Sequence, residues 1–327
     1  MTMKLVDSFG RKINYLRLSV TDRCNMRCRY CMPEEGVEKL PHQEVLSYED
    51  LDRIARAAVA IGIEKIRVTG GEPLVRKGIV PFLAGLSAIP GLRQLVLTSN
   101  GLMLEEMADD LRAAGVQRLN ISLDSLDPAR FSEITRIGDL KRVLAGIAAA
   151  DRAGFPVKIN MVVMRGVNDD EIEAIASLAM ERPYAVRFIE YMPSSRQQRW
   201  QSLVVSGREI LERLAVRFPL QPVPRADLAG PAKEYRIPGA AGTLGIITPV
   251  TGHFCGDCNR IRVTSTGRAK SCLFSDAEFD LKPFLGEGDA VPLQDALRGI
   301  VEAKPGRHEL SPESAHHTPF AMSAIGG

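Results

Sequence analysis

Three thiols stand close together near the start of the chain, in Cys24-Asn25-Met26-Arg27-Cys28-Arg29-Tyr30-Cys31. Thiolates at the spacing C-x3-C-x2-C can ligate three irons of a cubane four-iron cluster, which leaves the fourth iron open to chemistry. The same residues could hold zinc instead, with a fourth ligand such as His42. A second set comes late: Cys255-Gly-Asp-Cys258, then Cys272, a C-x2-C-x13-C pattern. On spacing alone a zinc ribbon close to His253 is an equal alternative there, although His253 itself reads as a loop histidine. These six are all the cysteines of the chain. Three disulfides would also consume them, but clusters at the two ends of a long chain read as metal ligation rather than cross-linking.

Two other patterns bear on chemistry. Thr69-Gly70-Gly71-Glu72-Pro73 follows an expected strand. Its glycines would let the backbone approach a ligand, Glu72 offers an acceptor for an ammonium, and Pro73 can open a helix at its first position. Arg260 and Arg262 alternate on an expected strand over 259–264, beside the second thiol set, and two forked guanidiniums suit bidentate phosphate contacts. The ordinary alternative is a surface strand with exposed arginines. Neither a P-loop nor a dinucleotide-binding G-x-G-x-x-G is present.

The elements that must position these groups repeat as strand then helix. Strands are expected at 15–20, 65–69, 94–98, 118–123, 157–163 and 185–189. Helices are expected over 47–61, from about 75, from about 104, within 128–154 and over 169–181, with Gly62, Gly91, Gly115 and Gly154 at helix stops. Such alternation implies parallel βα units. Six strands are fewer than the eight of a closed barrel, so the expected fold is α/β, an open (βα)6 partial TIM-like barrel. One set of strand alternates is polar: Arg17 and Ser19, Arg67 and Thr69, Thr98 and Asn100, Asn120, Ser122 and Asp124, Lys158 and Asn160. Parallel strands are normally apolar on both faces, so a polar face implies a ligand cavity, and the excess of cations over Asp124 implies an anionic ligand.

Composition narrows the classes. With 42 Lys and Arg against 40 Asp and Glu, a net +2, the chain lacks the charge of a nucleic-acid-coating protein. No apolar run approaches a membrane span, and residues 1–8 lack a secretory apolar stretch, so the expected location is cytoplasmic. The expected division is 1–192 for the barrel and 193–327 for a C-terminal extension that carries the second thiol set. Within the extension a short helix is expected over 211–218, 193–244 carries no usable signature, and His308, His316 and His317 read as solvated.

The cysteine loop after the first strand, with Gly70-Gly71-Glu72-Pro73 after the second, resembles the radical S-adenosylmethionine (SAM) superfamily. The C-x2-C-x13-C set running into Asn259-Arg260-Ile261-Arg262, and the terminal Gly326-Gly327, resemble the branch that cyclises GTP in the first step of molybdenum cofactor biosynthesis. The resemblance covers essentially the whole chain. It implies two [4Fe-4S] clusters, the first on Cys24, Cys28 and Cys31 with SAM on its open iron, the second on Cys255, Cys258 and Cys272 with the guanine of GTP on its open iron. It further implies SAM contacts from Tyr30, Gly70, Gly71, Glu72, Ser122 and Met192, and GTP contacts from Arg17, Arg67, Thr98, Lys158, Arg260 and Arg262. Arg17, Arg260, Arg262, Gly326 and Gly327 would serve catalysis, the two glycines by reaching into the site. Implied partners are an electron donor such as flavodoxin, the next enzyme of the pathway and a second copy of the chain. Two rivals remain at this stage: a peptide-modifying radical SAM enzyme, and a non-catalytic zinc protein.

Overall fold

The computed structural model describes residues 5–37, 40–193, 200–308, 310 and 322. Gly326, Gly327, His316, His317 and the ring of His42 lie outside what is described. The first part of the chain alternates as expected: β1 (Tyr15–Ser19), α1 (Tyr48–Ala60), β2 (Lys65–Thr69), α2 (Ile79–Ser87), β3 (Gln94–Ser99), α3 (Leu104–Ala113), β4 (Arg118–Ser122), α4 (Pro128–Thr135), α5 (Leu140–Arg152), β5 (Val157–Val163), α6 (Ile172–Glu181) and β6 (Ala185–Glu190). Ser47 caps α1, its Oγ accepting from Asp50 N at 3.0 Å. α2 starts later than the expected 75. A single 3-10 turn at Pro73–Val75 intervenes, and Gly78, with φ of 77°, restarts the chain as the cap of α2.

The second part continues with α7 (Gly207–Arg217), β7 (Gln221–Val223), β8 (Lys233–Arg236), β9 (Thr243–Ile247), β10 (Arg260–Val263), β11 (Arg268–Lys270), β12 (Phe279–Asp280) and α8 (Val291–Glu302). The expected helix at 211–218 is α7, which begins four residues earlier because Ser206 Oγ accepts from Glu209 N at 3.1 Å. Among the described residues, all twelve strands form one sheet in the order β12-β11-β10-β1-β2-β3-β4-β5-β6-β9-β8-β7. β9 runs parallel to β6 and β10 parallel to β1, so the six barrel strands sit inside a run of eight parallel ones, flanked by antiparallel edges. The order is linear, and the barrel is open.

The outer face of the sheet carries the core. Leu16, Leu18, Ile66, Val68, Leu97, Leu119, Ile121 and Ile159 are fully buried among the helices, each such side chain contributing about 1.5–3 kcal/mol. That anchoring holds the polar alternates on the opposite face in fixed register. Among the described residues no helix is long and apolar enough to cross a membrane.

Candidate active site

The polar alternates line one cavity, and register decides which meet. Arg17 aligns with Arg262 on one side and Arg67 on the other, so β10, β1 and β2 present a row of three arginines into the cavity, on neighbouring strands about 4.8 Å apart. One step along, Tyr15 aligns with Arg260 and Lys65. All but Arg260 of these six are buried. Burial and the charge of Arg262 hold Arg17 well below the usual guanidinium range, and burial with Arg260 beside it brings Arg262 down to about 10. Burial opposes ionisation of the Tyr15 phenol, but Arg67, Lys65, Arg17 and Arg260 outweigh it and pull the group down to about 7. Arg67 Nη1 donates to Thr98 Oγ1 at 3.3 Å. The Asn120 carboxamide, with its oxygen toward Arg67, accepts from both Nη1 and Nη2.

The first thiol set forms the adjoining wall. Cys24, Cys28 and Cys31 all face the cavity, on a loop between β1 and α1. The loop leans on the end of α4: Arg27 N and Arg29 N donate to Thr135 O and Ile134 O, while Arg136, at a φ of 64°, donates from Nη1 to Arg27 O and Met32 O. Burial pushes the Cys24 thiol up to about 11 and raises Cys28 well above its ordinary value. Tyr30 donates to Asp124 Oδ2 at 2.8 Å, and Asp124, raised to about 6 by burial, also accepts from Val162 N at 2.9 Å.

The Gly70-Gly71-Glu72 turn approaches the cysteine loop itself. Gly71 N donates to Thr21 O and Glu72 N to Arg23 O, both at 2.8 Å. A Cβ on Gly70, where φ is 156°, would stand 2.6 Å from Thr21 O; one on Gly71 would stand 2.6 Å from the Arg23 carbonyl carbon and collide with its oxygen. Both glycines line the cavity as well, so close approach to a ligand and to the loop entry coincide. Glu72 is buried and heavily committed. Its Oε1 accepts from Leu74 N and Ser99 Oγ, and its Oε2 from Asn100 N at 2.7 Å, which leaves one lone pair of Oε2 for a ligand. Burial raises this carboxyl to about 7. Gly71→Ala is expected to cost about 1–3 kcal/mol and to strip iron from the first thiol set only, measured as iron per chain after anaerobic reconstitution.

The second thiol set lies just behind the arginines. Cys255 opens a 3-10 turn ending at Asp257, Cys258 precedes β10 and Cys272 follows β11. Phe254 and Leu273, the neighbours of Cys255 and Cys272, line the cavity, with the Arg260 guanidinium 5.0 Å from the Phe254 ring. Burial opposes charging the Cys258 thiol, yet Arg260 and Lys304 bring it down to about 6.

Of the residues singled out from sequence, Arg17, Tyr30, Arg67, Gly70, Gly71, Glu72, Thr98, Ser122, Met192, Arg260, Arg262 and the first three cysteines all border this cavity. Lys158 does not border it; its ammonium reaches Glu234 of β8 at 3.3 Å, and burial, with Arg187 beside it, lowers it to about 6. Sequence reasoning missed Arg187 and Tyr15. Arg187 of β6 aligns with Asn160, lines the cavity and pairs with Glu234 at 2.6 Å. Gly245, opposite it on β9, makes the room, since a Cβ there would lie 3.1 Å from Arg187 Cγ. The reading of His308 as solvated is corrected. Its ring is half-buried between Phe274 and His253, each with centroids 4.5 Å away, because the segment after α8 folds back over the second thiol set. His253, His308 and Cys255 bring their ligand atoms within 4.8 Å of one another.

Residues 18–179 match the Radical SAM superfamily, and residues 184–310 match the Molybdenum Cofactor Synthesis C family. Among solved structures, Streptococcus suis SuiB bound to S-adenosylmethionine superposes with a TM-score of 0.60 at 13% identity, over 89% of this chain and 67% of that one, a likeness of fold. The fold and the first thiol set define a radical SAM protein. A GTP 3',8-cyclase of Geobacter sulfurreducens is 70% identical over 99% of this chain and all of its own length, and one of Alkaliphilus oremlandii is 45% identical over 98% and 99%. The chain belongs to the GTP 3',8-cyclase family.

Proposed function

We propose that this chain converts GTP to (8S)-3',8-cyclo-7,8-dihydroguanosine 5'-triphosphate, the first step of molybdenum cofactor biosynthesis, while SAM is split to 5'-deoxyadenosine and methionine. The observation that carries this reading, beside family membership, is the arginine row of Arg262, Arg17 and Arg67 sharing one cavity with the three thiols of the first set. Each thiol set offers three soft donors and no fourth cysteine, the donor chemistry that suits a [4Fe-4S] cluster with an open iron. When bound, the first cluster and SAM supply a 5'-deoxyadenosyl radical. The protein's part is positioning and exclusion of water. The barrel of residues 1–192 holds SAM through Tyr30, the Gly70-Gly71-Glu72 turn, Ser122 and Met192. Arg17, Arg67 and Thr98, with Arg260 and Arg262 from 193–327, hold the triphosphate and sugar, while Lys158 stands outside the cavity on Glu234. Guanidinium forks on rigid strands fix an anion with little loss of side-chain freedom.

This reading brings partners with it: a one-electron donor such as flavodoxin, the enzyme that takes the cyclised nucleotide, and a second copy of this chain, all in the cytoplasm. Gly326 and Gly327 complete the catalytic set. The test is anaerobic reconstitution followed by incubation with SAM, GTP and dithionite. GTP-dependent 5'-deoxyadenosine and the cyclised nucleotide are expected; iron-loaded protein that makes neither would overturn the assignment.

Two groups beside the arginine row also set a pH dependence. Surrounding cations bring the Tyr15 phenol to about 7, and burial lowers Lys65 to about 8. A triphosphate favours the protonated form of both, so their pKa values rise on binding. Binding at pH ~8 is therefore expected to take up about one proton or more, and affinity to fall as pH rises above neutrality. Calorimetry in Tris and in HEPES measures the uptake from the difference in apparent enthalpy. Zero uptake, or release, would sink the charge arrangement described here.

A further inference from the structure

Lys304 is 3% exposed and follows α8. Its Nζ donates to Arg260 O at 2.9 Å and to Ser271 O at 2.6 Å. Those carbonyls belong to the two segments that carry the second thiol set, two residues beyond Cys258 and one residue before Cys272. Two N–H groups of the ammonium are on carbonyls, and its charge acts on the Cys258 and Cys272 thiols. The base of the segment is locked from below. Arg11, itself buried and paired with Asp7, donates from Nη1 to Cys255 O at 2.8 Å and Gly306 O at 3.2 Å, and from Nη2 to Pro305 O at 2.7 Å.

Arg260 and Arg262 also stand near these thiols, but their side chains border the cavity and belong to whatever anion enters it. Lys304 does not border the cavity; two backbone carbonyls hold it behind the thiols. A three-thiolate cluster carries net negative charge, and a cation or donor fixed at a ligating sulfur stabilises its reduced form more than its oxidised form. We propose that Lys304 is a positioning and tuning residue for the second cluster, holding the Cys258 and Cys272 segments in register and raising the cluster's reduction potential through its fixed, buried charge. This inference rests on the assignment of a [4Fe-4S] cluster to Cys255, Cys258 and Cys272. It gives the cluster a charge partner that substrate binding does not remove.

The test is potentiometric titration of reconstituted wild-type, Lys304→Gln and Lys304→Arg proteins, followed by EPR, with iron counted per chain. Gln keeps a donor for a carbonyl but removes the charge; Arg keeps the charge. The expected result is two clusters in each protein and a second-cluster reduction equilibrium in Lys304→Gln shifted at least tenfold toward the oxidised form, which is 59 mV for one electron. The first cluster should stay unmoved, and Lys304→Arg should restore at least half of the shift. Iron lost from the second site in Gln but kept in Arg would equally support a requirement for the charge. A fully loaded Gln variant with less than a twofold shift, or equal iron loss in Gln and Arg, would overturn the tuning role and leave Lys304 structural. A wild-type protein with zinc or no metal at the second site would overturn the cluster assignment and the inference with it.

Discussion

Replacing Cys24, Cys28 and Cys31 together by alanine is expected to remove about four of about eight irons per chain and to take 5'-deoxyadenosine formation to the enzyme-free background, while GTP binding persists. The three thiols share one wall of the cavity, and Arg17, Lys65, Arg67, Arg260 and Arg262 stand on β1, β2 and β10, outside the loop. Nor does the loop need metal to stay docked, since Arg27, Arg29 and Arg136 tie its backbone to the end of α4. Loss of iron should therefore be local. The matched replacement of Cys255, Cys258 and Cys272 should keep the other four irons and weaken GTP instead. The measurements are iron per chain, deoxyadenosine by chromatography and GTP binding by calorimetry. Deoxyadenosine formation that survives the first triple change would refute the assignment of that set, and equal iron loss from either triple change would mean that the two sets are not independent.

How much of this was legible in the sequence follows from how local each signal is. Strict alternation exposed Arg17, Arg67, Thr98 and Asn120, because a strand's period of two is a property of a few consecutive residues. The same rule carried one strand further would have found Arg187 on β6. The row made by Arg262, Arg17 and Arg67 was not legible as a row. It depends on β10 lying parallel to β1, about 245 residues away, and a parallel pair leaves no hairpin signature between its strands. Beside the six expected barrel strands, β9 was not foreseen, and β10, though expected as a strand, was not legible as a parallel partner of β1, because both enter from a stretch without helical alternation. Glu234 lies in the stretch that carried no motif, yet it holds Arg187 and Lys158 at once. Gly70 and Gly71 were recognisable as a close approach, but the backbone they approach, at residues 21–23, is visible only in three dimensions. His308, one of three histidines in a polar tail, gave no hint that the chain folds back onto the second thiol set.

Glu190 is the residue whose loss should cost the fold most. It ends β6, is fully buried and has no counterpart in any motif. Its Oε1 accepts from Gly207 N at 2.7 Å and from the Thr251 hydroxyl, and its Oε2 from Val250 N and Thr251 N, both at 2.9 Å. One carboxyl thus fastens the start of α7 and the segment that leads from β9 to Cys255. Glu190→Ala leaves two buried N–H groups, of Gly207 and Val250, and the part-buried one of Thr251 without that acceptor, a buried one being worth about 1–3 kcal/mol when unsatisfied, so a loss of about 3–5 kcal/mol is expected. Glu190→Gln should recover little. Whichever way the amide turns, its NH2 faces donors on one side, and only an all-acceptor group satisfies both. Because residues 250 and 251 lead directly to Cys255, iron at the second site should fall in both variants while the first site stays loaded. Denaturation midpoints and site-resolved EPR measure the two effects; a Gln variant as stable as the wild type would show that the four contacts do not act together.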